Sequence, residues 1–543
     1  MASPLRNLTA LIVDPQNSMR ASMHNMLNLC EITKIDHAVS AGTAIRPLRN
    51  KAYDLIICEY DLGEGQDGQQ LLEDLRHNKI IPLWTIFIIV TAERKYEKVV
   101  GAAELAPSDY LLKPFTADNL LDRIARAVEK RAAFLPVYHL MEHGDLHEAI
   151  EVCKLGEEKY KKHALDFMRL RAELHVILGE APEAEAIYTT LLESKAVAWA
   201  RLGLAKTLFM QQKFTEAEDI LKSLVDENSH YMDAYDWLAK TKEAIGNVAE
   251  AKEVLEGAVS VSPHAVRRLR RLGEVALEAG DVDTAEKSFQ KVVSKAKYSE
   301  FRDPEDHVRL VRTLVKKGDV QQAAAMVRDL EKSLSGLEKT PACRALSAAL
   351  VHALNGNQDR AAQELEAAVV ACRTTLGLSN DLRMELARNC LERDMDAGAS
   401  EVMCDVMSNA SDDAALAKAM RVFEDAGRAQ LAEEVAKESR RQVVQLVSGG
   451  AEKAKAGDFQ GAVELMTAAV RRLPENPHVV FNAALANLKF IENVGWDGRL
   501  AEQARGHIET VRRLDANNPR LVALGELYQA LMKKYNIKAP AGA

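Results

Sequence analysis

Residues 262–293 read SPHAVRRLRRLGEVALEAGDVDTAEKSFQKVV. Apolar residues recur at helical spacing on both sides of Gly280, which indicates two amphipathic helices joined by a tight turn. Gly280 suits the left-handed cap that ends many helices. Ala285 follows five residues later, and its small side chain suits a point where two helices cross closely. The stretch therefore predicts one antiparallel helix pair.

The same arrangement recurs along most of the chain, with a glycine or polar residue five positions before an alanine. The alanines of the clear copies are Ala149, Ala184, Ala217, Ala251, Ala285, Ala323, Ala361, Ala432 and Ala462. From Ala149 to Ala361 the successive separations are 35, 33, 34, 34, 38 and 38 residues, and a weaker copy at Ala399 fits the gap before Ala432. A period of about 34 residues is typical of helix pairs stacked into a superhelix.

Several residues of the quoted copy carry a family resemblance. They are Leu272, Gly273, Ala276, Gly280, Ala285 and Phe289, with Pro263 closing the preceding unit. At these positions the copy resembles the tetratricopeptide-repeat family. The resemblance implies an all-α, right-handed superhelical solenoid over residues 131–536 that binds other proteins, with no strand between residues 150 and 530. The tail, residues 537–543, is expected to be poorly ordered.

Residues 8–130 follow a different period. The apolar runs LTALIVD, YDLIICEYD, TIFIIVTA and DYLLKPF alternate with amphipathic segments. This pattern predicts a doubly wound, parallel, five-stranded α/β sheet with helices on both faces. Such sheets place their sites at the carboxyl ends of the strands, so the polar residues found there are predicted to converge. These residues are Asp14, Glu59, Asp61, Thr91 and Lys113.

The strand-end residues resemble those of the response-regulator receiver domain of two-component signalling. In that family carboxylates hold Mg²⁺, an aspartate after the third strand accepts a phosphoryl group, and a hydroxyl and an ammonium bind its oxygens. The resemblance assigns Asp14 to the first acidic position, Thr91 to the hydroxyl and Lys113, followed by Pro114, to the ammonium. Tyr110 takes the position of the aromatic switch residue.

Two departures from the family affect this pocket. Pro15 stands at the second acidic position and offers no side-chain ligand, and Glu59 stands where the phosphoacceptor aspartate is usual. Asp61 lies where the family supplies a backbone carbonyl to the metal. Any Mg²⁺ held by Asp14, Glu59 and Asp61 is therefore expected to bind weakly, and no other cofactor is expected. The longer glutamate could also imitate part of the charge of a phosphoaspartate.

Three interpretations of the pocket stay open: a decayed site, a constitutive mimic of the phosphorylated state, and residual phosphoryl transfer. The presence of Thr91 and Tyr110 motivates the second interpretation. In receivers, movement of the Thr lets the aromatic ring turn inward. That turn changes the face formed by the fifth strand and the helices before and after it. A mimic therefore predicts that Tyr110 points inward.

Composition excludes several other classes of protein. The net charge of -9 gives no general attraction to nucleic acid or anionic lipid. The 7 cysteines contain no C-x-x-C pair, so neither a disulfide framework nor a zinc ribbon is indicated. The N-terminal residues lack the order of a signal peptide, and the most apolar stretch, residues 80–90, is too short to span a membrane. A cytoplasmic location is expected.

Three motifs compete with this interpretation. Residues 63–68 match G-x-G-x-x-G, but the acidic residues within the match oppose a pyrophosphate. His139 and His143 match H-x-x-E-H, but they lie where a repeat helix is expected to end. A basic cluster, Arg267, Arg268, Arg270 and Arg271, could contact phosphates or an acidic protein, but a solvated outer helix face is the favoured explanation.

The sequence as a whole predicts a non-enzymatic signalling protein, a scaffold or adaptor. Its degenerate receiver would dock or form a homodimer, and its repeats would bind protein partners, with no nucleic acid and no membrane. The alternative is a phosphorylation-dependent response regulator. In that case a sensor kinase phosphorylates the pocket and so changes the affinity of the repeats for their partner.

Overall fold

The computed structural model describes residues 5–63, 67–92, 107–194, 197–263, 265–296, 302–515 and 518–537. Their contacts divide the chain into two compact units, Met1–Arg302 and Asp303–Ala541. The first unit contains a sheet and the first helix pairs, and the second contains further helices. The tail expected to be poorly ordered, residues 537–543, lies outside the described residues from residue 538 onward.

The four apolar runs near the N terminus form one parallel sheet together with a fifth, more polar strand, Lys34–Ala38, that the sequence pattern did not indicate. Its strands are β1 Thr9–Val13, β2 Lys34–Ala38, β3 Leu55–Glu59, β4 Ile86–Thr91 and β5 Asp109–Leu112. They are arranged in the order β2-β1-β3-β4-β5, which is the flavodoxin-like doubly wound order. All residues of β3 and β4 are buried, because helices cover both faces of the sheet.

Helices pack on both faces of this sheet. They are α1 Asn17–Leu29, α2 Ala41–Asn50, α3 Gly68–His77 and α4 Ala117–His143. Alternate strand residues divide between two cores: Ile56 packs on the side of α2 and α3, and Ile57 packs on the side of α1 and α4. The predicted α/β fold is therefore confirmed. Residues 93–106, between β4 and β5, lie outside the described range.

Helix α4 does not stop at the predicted boundary between the receiver and the repeats. The repeats were predicted to begin at residue 131, after the receiver, yet α4 runs through this boundary and through Pro136, for 27 residues in all. An internal proline removes one backbone hydrogen bond, and packing on either side can offset that loss. Here Phe134 is buried and its ring stacks on Phe167, with 3.9 Å between the ring centroids. The receiver and the first repeat therefore share one helix.

The rest of the first unit consists of paired helices, the last part of α4 serving as the first helix of the first pair. After α4 come α5 Leu146–Lys159, a 3-10 turn Lys161–His163, α6 Ala164–Leu178, α7 Ala181–Ser194, α8 Ala198–Met210, α9 Phe214–Glu227, α10 Met232–Ile245, α11 Val248–Val261, α12 Val266–Glu278 and α13 Val282–Ala296.

The second unit continues with helices. They are α14 Pro304–Lys317, α15 Val320–Leu334, α16 Thr340–Leu354, α17 Gln358–Thr374, α18 Asn380–Leu391, α19 Asp396–Ser408, α20 Asp413–Glu424, α21 Ala429–Lys455, α22 Phe459–Arg472, α23 Pro477–Asn493, α24 Gly498–Leu514 and α25 Leu521–Lys534. Among the described residues from 150 to 530 there is no strand, as the repeat pattern predicts. No helix in the described ranges combines the length and the apolar character needed to cross a bilayer.

The repeat alanines occupy the predicted positions. All ten, including the weaker copy Ala399, are at most 1% exposed. The residue five positions before each alanine has a left-handed φ. It is a glycine in eight copies, and Gln212 and Asp394 adopt the same conformation with φ of 62° and 53°. The cap and the close crossing predicted from the sequence are thus both present.

Helix α21 departs from the simple pair pattern. It runs unbroken for 27 residues, with Ala432 near its start and Gly450 near its end. A Cβ on Gly450 would lie 2.7 Å from the sulfur of Met466, so this end of α21 packs closely on α22. Because only 30 residues separate Ala432 from Ala462, one helix completes one pair and begins the next.

Close contacts between glycines and aromatic rings recur between the helices of the first unit. A Cβ on Gly273 of α12 would lie 2.7 Å from two ring atoms of Phe289 on α13. Gly203 faces Tyr188 and Gly156 faces Phe167 in the same way. The absence of a side chain at these positions sets how closely the helices approach.

Replacing Gly273 by Ala is therefore expected to destabilise the first unit. The overpacking cost exceeds the gain of about 1 kcal/mol in helix propensity, for a net loss of about 1–2 kcal/mol. Hydrogen exchange of α12 and α13 measures this loss. Gly257→Ala is the matched control, because its nearest neighbour, Tyr235, lies at 3.4 Å. Equal effects of the two substitutions would contradict the proposed packing constraint.

Candidate functional site

The candidate site lies at the carboxyl edge of the sheet. Asp14 follows β1, Glu59 ends β3, Thr91 ends β4 and Lys113 follows β5. The ladder brings these ends together: the Lys113 backbone N–H donates to the Thr91 carbonyl at 2.8 Å, and the Tyr60 N–H donates to the Val90 carbonyl at 2.8 Å. The parallel register is thus what assembles residues from four separate parts of the sequence.

The centre of the site is an ion pair between Lys113 and Glu59. The Lys113 Nζ contacts Glu59 Oε2 and lies 3.8 Å from Asp14 Oδ2. Asp14 is 1% exposed and Glu59 is 9% exposed, so both carboxylates have lost most of their water. The predicted convergence of Asp14, Glu59, Thr91 and Lys113 is seen in the structure.

Asp14 has one bound oxygen and one without a hydrogen-bond partner. The Gln16 N–H donates to Asp14 Oδ1 at 2.7 Å, while the buried Oδ2 accepts no hydrogen bond from the described residues. Arg20 donates to the backbone carbonyls of Asp14 and Pro15, at 2.6 and 2.9 Å, which fixes the loop after β1. Asp14 Oδ2 is thus suited to a cation.

The other groups suit Mg²⁺ less well. Pro15 brings no side-chain oxygen, and the carboxylate of Glu59 is already paired with Lys113. In the described part of the chain no group of three or more His, Cys, Asp or Glu is arranged to hold a metal ion. These donors do not form the carboxylate set that a tight Mg²⁺ site requires.

Asp61 contributes to the site through its backbone. Its N–H donates to Glu59 Oε1 at 3.3 Å, whereas its exposed carboxylate accepts the Gly63 N–H at 3.0 Å. The side chain of Asp61 therefore organises the loop after β3. Of the predicted site residues, it is the one whose carboxylate bonds outside the pocket.

The two switch residues are buried. Thr91 is 3% exposed and Tyr110 is 8% exposed, which matches the predicted inward position of the tyrosine ring. The Tyr110 hydroxyl donates to Gln69 Oε1 at 3.0 Å, and Gln69 Nε2 donates to Glu73 Oε1 at 3.2 Å. No pattern in the sequence singles out Gln69 or Glu73, because a polar residue on a helix does not indicate a distant partner such as Tyr110, which is 41 residues from Gln69.

A close backbone approach positions α3 beside the pocket. The Gly68 N–H donates to the Tyr60 carbonyl at 2.7 Å, and a Cβ on Gly68 would lie 2.5 Å from the Glu59 carbonyl oxygen. Asp67 and Gln70 then form a reciprocal cap at the start of α3. Gly68 belongs to the G-x-G-x-x-G match, so its glycine has a packing role in the receiver fold.

The histidines in and near the H-x-x-E-H match contact nearby carboxylates. His147 and His175 both contact Glu180, at 3.0 and 2.7 Å, and His139 lies 4.0 Å from Glu142. His143 of the H-x-x-E-H match is among the side chains that the structure does not describe. All seven cysteines are free and buried, and burial raises the pKa of the Cys58 thiol well above its ordinary value, which disfavours a reactive thiolate.

Comparison with known families agrees with this geometry. Residues 10–125 match the response regulator receiver domain. Residues 169–231, 238–300 and 450–519 match the tetratricopeptide repeat. The chain is similar to the chemotaxis protein CheY-3 of Vibrio cholerae, with 27% identity over 125 residues, 23% of this chain and 95% of that protein. It is also similar to the chemotaxis protein CheY of Pseudomonas aeruginosa, with 29% identity over 120 residues, 22% of this chain and 95% of that protein.

Solved repeat structures show a more distant likeness. The C-terminal part of a TPR repeat-containing protein from Cytophaga hutchinsonii has 17% identity and a TM-score of 0.36, covering 47% of this chain and 99% of that one. A tetratricopeptide repeat protein from Parabacteroides merdae has 17% identity and a TM-score of 0.32, covering 47% of this chain and 96% of that one. The chain therefore combines a response regulator receiver domain with the tetratricopeptide repeats that follow it, which supports a signalling protein with a protein-interaction domain.

Proposed function

We propose that the receiver works without phosphorylation and that the repeats carry the output by binding a partner protein, so that the chain acts as a scaffold or adaptor with no reaction of its own. The observation that carries this proposal is the ion pair between Glu59 and Lys113. In receivers this lysine binds an oxygen of the phosphoryl group. Here a side chain encoded in the sequence already supplies the oxygen.

The charge supplied by Glu59 is smaller than that of a phosphoryl group. A carboxylate carries about one negative charge, whereas a phosphoryl group carries nearly two and offers more acceptor oxygens. Glu59 shares its two oxygens between the Lys113 ammonium and the Asp61 N–H. The proposed mimic is therefore partial, and the buried Tyr110 is consistent with it.

A second candidate function has some support from the pocket. Thr91 and Lys113 retain the positions that phosphoryl transfer needs, and Asp14 Oδ2 has no hydrogen-bond partner. A sensor kinase could then act on the pocket and change the affinity of the repeats for a partner. Pro15 and Glu59 count against this candidate, because each alters a group that the chemistry uses directly.

The cytoplasmic location also stays a prediction.

A double-mutant cycle tests the importance of the ion pair. Lys113→Met should destabilise the receiver by about 2 kcal/mol, because two largely buried carboxylates then lack a cation; the cost is moderated since Lys113 is 20% exposed. Adding Glu59→Gln should restore most of that stability. Hydrogen exchange of β3 and β4 in the full chain reports the change. Strictly additive effects of the two substitutions would show that the two groups do not interact.

Phosphorylation can be tested directly with Mg²⁺ and acetyl phosphate, followed by intact-mass measurement of the full chain. The natural chain should gain no phosphoryl group. The variant Glu59→Asp with Pro15→Asp should gain one, because it restores the acceptor and the second acid. Pro15→Asp alone is the matched control and should stay unmodified. Stoichiometric uptake by the natural chain would favour the phosphorylation-dependent candidate.

Metal affinity provides an independent test. Calorimetric titration of the full chain with Mg²⁺ should give weak binding, and Pro15→Asp should tighten it by at least about tenfold, because the number of carboxylates largely sets the affinity for such hard cations. Asp14→Asn should abolish the signal in both backgrounds. Tight binding by the natural chain would mean that another carboxylate, such as that of Asp61, compensates for Pro15.

A further inference from the structure

Receiver helix α3 lies against the repeats within the first unit. Its side chains Gln69 and Glu73 line a cleft of about 620 Å³ whose other walls come mainly from α10 and α12. Asp67, which caps α3, interacts electrostatically with Lys295 near the end of α13. The receiver thus presents one edge of α3 to three helices of the repeat domain.

The two sides of this cleft carry complementary charge. The α12 wall holds the basic cluster of four arginines identified in the sequence. Arg268 forms a two-point ion pair with Asp236 of α10, with both contacts at 2.7 Å, and Glu73 adds a second negative charge near the same guanidinium. Arg271 pairs with Glu243 and Glu274. The cluster therefore faces a carboxylate of the receiver as well as carboxylates of the repeats.

Glu73 is partly buried at this contact. Burial raises the pKa of Glu73, while the hydrogen bond from Gln69 and the charge of Arg268 oppose that rise. A carboxylate on an outward-facing helix edge would ordinarily keep its water. The loss of water at Glu73 indicates that the repeats cover this part of α3.

A path of two hydrogen bonds joins the cleft to the receiver pocket. The Gln69 amide accepts from the Tyr110 hydroxyl with its oxygen and donates to the Glu73 carboxylate with its nitrogen. Tyr110 is the aromatic switch residue of the receiver. A change in the position of its ring would break or move the hydrogen bond to Gln69. The bond from Gln69 to Glu73 would then be disturbed, and both of these residues line the cleft.

Helix α4 contacts both domains and so holds α3 at a fixed distance from the repeats. On the receiver side, Arg131 pairs with Asp54 at 2.9 Å and Glu142 accepts the Leu83 N–H at 2.9 Å. On the repeat side, Lys130 pairs with Asp166 at 3.0 Å. Because one helix carries all three contacts, little conformational entropy is lost when α3 docks.

We propose that the receiver's own helix α3 docks on the repeats as one wall of the cleft lined by α10 and α12, and that Tyr110, Gln69 and Glu73 couple this contact to the receiver pocket. A protein that binds in the cleft would contact α3 as well as the repeats, so its affinity would depend on the position of α3. The inference rests on the proposed protein-binding role of the repeats, but it is independent of whether Glu59 replaces phosphorylation.

Hydrogen exchange of the full chain, read in α3, α10 and α12, tests the docking. Glu73→Arg places a fifth positive charge beside the arginine cluster, so exchange in α10 and α12 should rise about tenfold, the change that about 1.4 kcal/mol represents. Asp74→Arg is the matched control, since it makes the same change of charge one residue along α3, at a position that does not line the cleft. Unchanged exchange of β3 and β4 establishes that the receiver remains folded.

The coupling is tested in the same experiment by Tyr110→Phe, which keeps the ring and removes the hydroxyl. Exchange in α10 and α12 should rise about threefold, because Gln69 then loses the hydrogen bond that holds it in position to bind Glu73. Equal effects of Glu73→Arg and Asp74→Arg, or no effect of either, would overturn the docking site. No effect of Tyr110→Phe alongside a specific effect of Glu73→Arg would overturn the coupling to the pocket.

Discussion

One unbroken helix, α4, carries the chain from the receiver sheet into the first repeat, and the relation between the two domains in the first unit depends on it. A flexible linker would let the receiver sample many orientations and would make any single contact with the repeats costly in entropy. A helix clamped on both sides removes most of that freedom. The ion pairs of Arg131 and Lys130 and the ring stacking of Phe134 all act on this one element.

The pocket combines the strand-end geometry of a receiver with a glutamate at the acceptor position. The parallel register of the apolar strands places Asp14, Thr91 and Lys113 at one edge of the sheet. The difference from other receivers lies in the source of the negative charge that balances the Lys113 ammonium. The carboxylate of Glu59 is covalently part of the chain, so under the proposed function the charge state of the pocket would not depend on a second protein.

Much of this architecture could be predicted from residue patterns, because the patterns report local packing. The buried alanines and the left-handed caps repeat with the helix pairs, and Asp14, Glu59 and Lys113 each end a strand. The continuity of α4 through Pro136 could not be predicted, since it depends on tertiary packing that offsets a local helix breaker. The partners of Gln69 and Glu73 could not be predicted either, because contacts between helices that are far apart in the sequence produce no periodic pattern of residues.

The long helix α21 has a consequence for how such a chain can evolve. Arrays of this kind lengthen and shorten when recombination duplicates or deletes a whole unit, and a turn between two helix pairs is the natural point for the genetic breakpoint. Ala429–Lys455 belongs to two neighbouring pairs at once, so no breakpoint between these pairs avoids cutting a helix. The number of units around α21 should therefore be fixed in the protein's descendants, while the regularly spaced units near Ala217 and Ala251 remain free to vary in number.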